Sequence, residues 1–119
     1  VYASAGHGPL LFYRRADDAF EEAGATDLPL GVLPKTAYDQ VRTVEMAPGD
    51  LALIATDGFM EATNPAGEQF GVERMTDLLR RERDHCAAET LANLHEAVRT
   101  FAAGADQADD CTAILVRRT

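Results

Sequence analysis

The run Leu51-Ala52-Leu53-Ile54-Ala55-Thr56-Asp57-Gly58 sets five successive apolar residues before a carboxylate and a glycine. A strand with one solvent face alternates apolar and polar residues, because successive side chains point to opposite sides. An unbroken apolar run has no solvent face, so this strand is covered on both sides. Asp57-Gly58 then stands at the strand's exit. Asp-Gly is also a favoured hairpin pair, but Phe59-Met60-Glu61-Ala62-Thr63-Asn64-Pro65 does not return as an alternating strand.

Upstream, residues 38–46 read as a hairpin partner for the strand at 50–56. Ala47-Pro48-Gly49-Asp50 joins them, with proline presetting φ and glycine accepting the positive φ of a type II turn. Residues 1–5 and 10–14 read as a second hairpin around Gly6-His7-Gly8-Pro9. Residues 17–22 are polar and read as a loop with a frayed edge strand. The run from Leu28 to Pro34 is apolar but carries Pro29 and Pro34. Proline cannot donate to a ladder, so an ordered, packed loop is expected.

Downstream, Val72, Met75, Leu78 and Leu79 share a helical face, with Arg80, Arg81 and Arg83 at the C-terminal end, where cations suit the macrodipole. Leu91, Leu94, Val98 and Phe101 form a second stripe that ends near Gly104. After the acidic residues 106–110, residues 111–116 read as another buried strand. The order β-β-β-β-α-α-β predicts the α+β class, a mostly antiparallel sheet with two helices packed on one face.

The 119 residues suit one domain, and 46% apolar with 26% charged residues is a globular mixture. A net charge of −9 argues against a nucleic-acid surface. No apolar run approaches the ~20 residues that span a bilayer, and no signal peptide opens the sequence. Cys86 and Cys111 lack metal-ligand spacing and are expected as free thiols in a reducing, cytoplasmic compartment. The chain begins Val1-Tyr2-Ala3 without a methionine, as a piece of a longer protein would.

Asp109-Asp110 stands immediately before the last strand. If that strand runs antiparallel beside 50–56, Asp57 and Asp109 converge at one edge of the sheet. Two carboxylates brought together repel unless a cation or a proton intervenes. All-oxygen ligation suits Mg²⁺ or Mn²⁺ rather than zinc.

The strings Ala5-Gly6-His7-Gly8-Pro9, Leu30-Gly31, Pro48-Gly49-Asp50, Thr56-Asp57-Gly58-Phe59-Met60-Glu61-Ala62, Gly67-Glu68-Gln69-Phe70-Gly71 and Asp109-Asp110-Cys111-Thr112 occur in this order. Together they closely resemble the SpoIIE-type branch of the bacterial PPM (protein phosphatase 2C-like) serine/threonine phosphatases. The resemblance implies an αββα sandwich with a two-metal site, Mn²⁺ or Mg²⁺, at one edge of the central sheets. It makes Asp57 and Asp109 metal ligands. No side chain serves as the nucleophile, because metal-activated water takes that part.

The same resemblance gives accessory roles. Asp110 orients its loop, since related eukaryotic phosphatases usually carry Asn there. Gly58 allows close backbone approach, and Glu61 fixes the loop after Asp57. Residues 67–71 shape a flap and start the first helix. His7 has two readings, a general acid or phosphate binder and a turn histidine bonded to backbone carbonyls; the second is preferred. His85 and His95 are read as surface residues, and Cys111 as core.

The family's upstream G-D-x-x-G-type string, which carries its remaining metal-binding aspartates, is not among these residues. Gly49-Asp50 lies in a tight turn and matches a different string, so Asp50 is not assigned as a ligand. Residues 1–119 are therefore expected to be the C-terminal portion of one such domain, with weak metal binding and negligible catalysis on their own. In the complete protein the expected reaction is hydrolysis of phosphoserine or phosphothreonine on a protein, such as an anti-sigma-factor antagonist. An upstream sensory or receiver domain is expected as well. The alternative is a catalytically dead phosphatase-like module that binds or regulates. A structural Ca²⁺ domain ranks last, because no loop has EF-hand spacing.

Overall fold

The computed structural model describes residues 1–8, 10–105 and 109–119. Pro9 of the first expected turn and residues 106–108 of the acidic stretch lie outside the described residues. The elements are strands β1 (Leu10–Arg14), β2 (Ala19–Ala23) and β3 (Leu51–Ala55), helices α1 (Gly71–Arg81) and α2 (Ala87–Ala102), and strand β4 (Ala113–Arg117). The strands form one sheet in the order β2-β1-β3-β4, every neighbour antiparallel. The class is α+β, as expected.

Alternation across β3 explains its unbroken apolar run. Leu51, Leu53 and Ala55 face the helices and pack with Met75, Leu79, Leu94 and Val98. Ala52 faces the other way, beside Leu10 and Phe12, and Tyr2, Val44, Met46 and Ile54 pack against that cluster. Both helices lie on the first face.

Neither expected hairpin forms. The edges of β3 are taken by β1 and β4, so no backbone edge remains for residues 38–46. They run as irregular chain instead: Arg42 bridges Tyr2, while Val44 and Met46 lie over the second face. The edges of β1 are likewise filled by β2 and β3, leaving residues 1–5 to isolated bridges at Tyr2 and Ala5. The frayed strand expected within 17–22 is the fully paired β2. Its entry turn is tied by the Tyr13 hydroxyl donating to Asp18 at 2.7 Å.

Two burial expectations also change. Leu28, Leu30, Val32 and Leu33 are exposed rather than packed, Leu30 by 74%, because neither core cluster extends to this loop. In β4 only Leu115 is buried; Ile114 and Val116 are 57% and 47% exposed. β4 is an edge strand, and the second face is uncovered there.

The turn before β3 does form, with Gly49 at φ 92° and the Asp50 N–H donating to the Ala47 carbonyl at 3.0 Å. Asp50 is 3% exposed. Its carboxylate accepts the N–H groups of Arg15 (2.9 Å) and Ala47 (2.8 Å) and pairs with Arg14 at 3.4 Å. Burial pushes this carboxyl up, but those donors outweigh it and hold it below the usual range. Asp50 is thus a structural anion. Asp50→Ala should cost about 3 kcal/mol, since it orphans buried donors. Because the folded carboxyl titrates below the unfolded value of about 4, this stabilisation is complete above that value. It is lost as pH falls through the folded value. Urea titrations across acid pH check this, with the mutant losing that part of the acid sensitivity.

Candidate active site

The end of β3 meets the start of β4 at the pair Ala55↔Ala113. One further backbone bond, Thr56 N–H to the Thr112 carbonyl at 2.9 Å, closes the ladder. From there the Thr56 hydroxyl donates to the Asp110 carbonyl at 2.8 Å and accepts the Thr112 N–H at 3.0 Å. The two carboxylate-bearing loops are therefore sewn together at one edge of the sheet.

Asp57 opens a single 3₁₀ turn, Asp57–Phe59, and its carbonyl accepts the N–H groups of Met60 and Glu61, each at 2.8 Å. Gly58 is buried against the opposite loop, where a Cβ would fall 2.5 Å from the Asp110 carbonyl oxygen and 3.4 Å from that of Asp109. Only glycine fits that cradle without moving backbone. Across the seam, the Asp109 carboxylate accepts the Asp110 N–H at 2.7 Å. Asp57, Asp109 and Asp110 are all exposed.

His7 precedes β1, whose first residue pairs with Ile54, so the topology carries it to the same end of the sheet. It is exposed, and its carbonyl accepts the Ser4 hydroxyl. Glu61 closes the turn through its N–H, while its side chain lines a neighbouring cleft. The segment from Glu61 to Phe70 loops back on itself. Asn64 Oδ1 accepts the N–H groups of Ala66 and Glu68, and the Phe70 and Gly71 N–H groups donate to the carbonyls of Ala62 and Met60. The residues before Gly71 thus form one hydrogen-bonded turn, and α1 starts at Gly71, as expected.

A cleft of about 450 Å³ opens between this turn and α2, lined among others by Gly58, Glu61, His95, Arg99, Asp109 and Cys111. Exposed His95 meets the buried Phe59 ring edge-on at 4.8 Å, and Arg99 pairs with Glu96 at 2.8 Å. Both cysteines are free. Burial pushes the Cys111 thiol up, and Asp109 and Asp110 add to it. A thiol so held is protonated at neutral pH and is no nucleophile.

Carboxylate oxygens on two apposed loops are donors of the kind that Mn²⁺ and Mg²⁺ accept. The donor set fits such ions in kind and falls short in number. Among the described residues, no group of three or more His, Cys, Asp and Glu is placed to hold a metal. Sequence reading assigned no role to the Thr56 hydroxyl, although Thr56 stood in the quoted string. It also left out the α2 wall of the cleft, whose only signal is the i, i+4 spacing of His95 and Arg99.

The fold is that of PP2C phosphatase domains. The SiaA-PP2C domain of Pseudomonas aeruginosa matches with TM-score 0.75 and 23% identity, over 97% of this chain and 44% of that one. The PP2C phosphatase domain of the cell fate determinant SpoIIE from Bacillus subtilis, solved with a fragment of its regulatory domain, matches with TM-score 0.67 and 26% identity. That match covers 95% of this chain and 32% of the other. A manganese-presoaked structure of the SpoIIE phosphatase domain matches with TM-score 0.57 and 21% identity.

The chain belongs to the SpoIIE family, whose model, stage II sporulation protein E, matches residues 1–119. The phosphoserine phosphatase RsbU of Bacillus subtilis is 30% identical over 121 residues, covering 99% of this chain and 34% of RsbU. The chain thus spans about a third of that relative's length.

Proposed function

We propose that residues 1–119 are the C-terminal portion of a SpoIIE-type protein phosphatase domain. Its substrate is phosphoserine or phosphothreonine on a bacterial regulatory protein, which the family resemblance makes an anti-sigma-factor antagonist. The observation that supports this reading is the apposition of the Asp57 and Asp109 loops across the Thr56–Gly58 seam.

In this reading Asp57 and Asp109 hold part of a Mn²⁺ or Mg²⁺ pair. The chemistry such a pair supplies is activation of water for in-line attack on phosphorus. The chain's own residues bind and orient. Gly58 lets the loops approach, Asp110 shapes the second loop, and the protonated Cys111 thiol takes no part. His7 is kept as an accessory group at the same end of the sheet. Residues 1–119 alone are catalytically incomplete, and the rest of the ligands come from an upstream portion of the domain, itself preceded by a sensory or receiver domain. Among the described residues no helix is long and apolar enough to cross a membrane; we place the protein in the cytoplasm.

The test is direct. Full-length protein should release phosphate from phosphoserine and phosphothreonine peptides when Mn²⁺ is supplied, and chelation should stop it. Folded protein that turns over no phosphopeptide with Mn²⁺ present would pass the reading to the alternative, a phosphatase-like binding module.

A further inference from the structure

Backbone pairing between the two strands of the site ends where the carboxylates begin. The Thr56 N–H makes the last ladder bond, at 2.9 Å to the Thr112 carbonyl. Past that point the Thr56 hydroxyl continues the connection, donating to the Asp110 carbonyl (2.8 Å) and accepting the Thr112 N–H (3.0 Å). A hydroxyl does both at once, which few side chains of this size can. Its two partners, Asp110 and Thr112, flank Cys111, and Asp110 directly follows Asp109, while Thr56 itself directly precedes Asp57.

We propose that Thr56 is a positioning residue for the metal-binding carboxylates: its hydroxyl sets the spacing between the Asp57 and Asp109 loops so that both reach the same cation site. This rests on the metal-binding reading above. Gly58 limits the same spacing from the other side, since a Cβ there would meet the Asp110 carbonyl oxygen at 2.5 Å. The seam is thus held together by one residue and kept close by the next but one. Groups that orient ligands without touching the metal typically govern affinity about 10- to 100-fold.

The test uses full-length protein stripped of metal, with Mn²⁺ affinity read by calorimetry and apo stability by thermal melting. Thr56→Val keeps the shape and removes both hydroxyl bonds; Thr56→Ser keeps the bonds. Expected are Mn²⁺ binding weakened about tenfold or more in T56V, and affinity within about threefold of the parent in T56S. T56A, which carries no hydroxyl and no branch, replaces T56V if the latter does not fold. Asp57→Asn serves as the reference that removes a ligand. Parental Mn²⁺ affinity in T56V, or in T56A as its replacement, alongside a clear loss in D57N, would overturn the role of Thr56 and leave the metal reading standing. Parental affinity in D57N would overturn both.

Discussion

Asp57→Asn in the full-length protein should lower Mn²⁺-dependent phosphate release from a phosphoserine substrate about a thousandfold, roughly 4 kcal/mol of barrier. The substitution keeps the side chain's shape and removes its charge, so a carboxylate ligand becomes a weak neutral donor. The fold has little stake in that charge. Asp57 is exposed, and the bonds that set its turn come from its carbonyl. The seam beside it is made by the Thr56 hydroxyl and the Gly58 backbone, neither of which touches the Asp57 carboxylate. The melting temperature of the variant should therefore stay near that of the parent. Activity retained within tenfold would count heavily against Asp57 as a ligand.

Phe59→Ala should show the opposite pattern, with stability falling by about 4 kcal/mol in urea unfolding. Phe59 is 0% exposed, sits in the cluster with Leu53, Leu79 and Leu94, and carries the His95 ring on its edge. Its removal leaves a void beneath the 3₁₀ turn, and close-packed interiors collapse only partly around such voids. Phe59 is also the anchor of the loop that bears Asp57, two residues earlier. A cost below about 1.5 kcal/mol would mean that the turn finds other support.

How much of this was readable beforehand depends on whether the cause is local. The two-sided burial of β3 follows from its own five residues. Both helices follow from apolar spacing, and the Pro48-Gly49 turn from the φ preferences of its residues. Strand partners do not follow from turns. Pro48-Gly49 makes a turn whether or not the preceding segment becomes a strand, and residues 38–46 lost that place because β1 and β4 already fill both edges of β3. Within β2, Phe20 points inward between exposed Ala19 and Glu21, a weak alternation that pairing with β1 made decisive.

The site divides in the same way. That Asp57 and Asp109 share an edge came from assuming one antiparallel pair, and β3 and β4 are that pair. The bonds of the Thr56 hydroxyl span residues far apart in sequence and leave no period to detect. The cleft wall on α2 depends on how the helix is packed against the turn, which no local pattern specifies.

Pairing between β3 and β4 also has a meaning in time. The Asp57 loop follows β3, whereas Asp109 comes with β4, the last of the described strands, and both helices lie between them in sequence. Closing Ala55 onto Ala113 joins segments far apart in sequence, and such long-range closures are slow steps in folding. During synthesis the first carboxylate leaves the ribosome well before its partner. On the proposed reading of Asp57 and Asp109 as ligands, the two carboxylates come together only once β4 has docked beside β3, and metal affinity would then report on that docking.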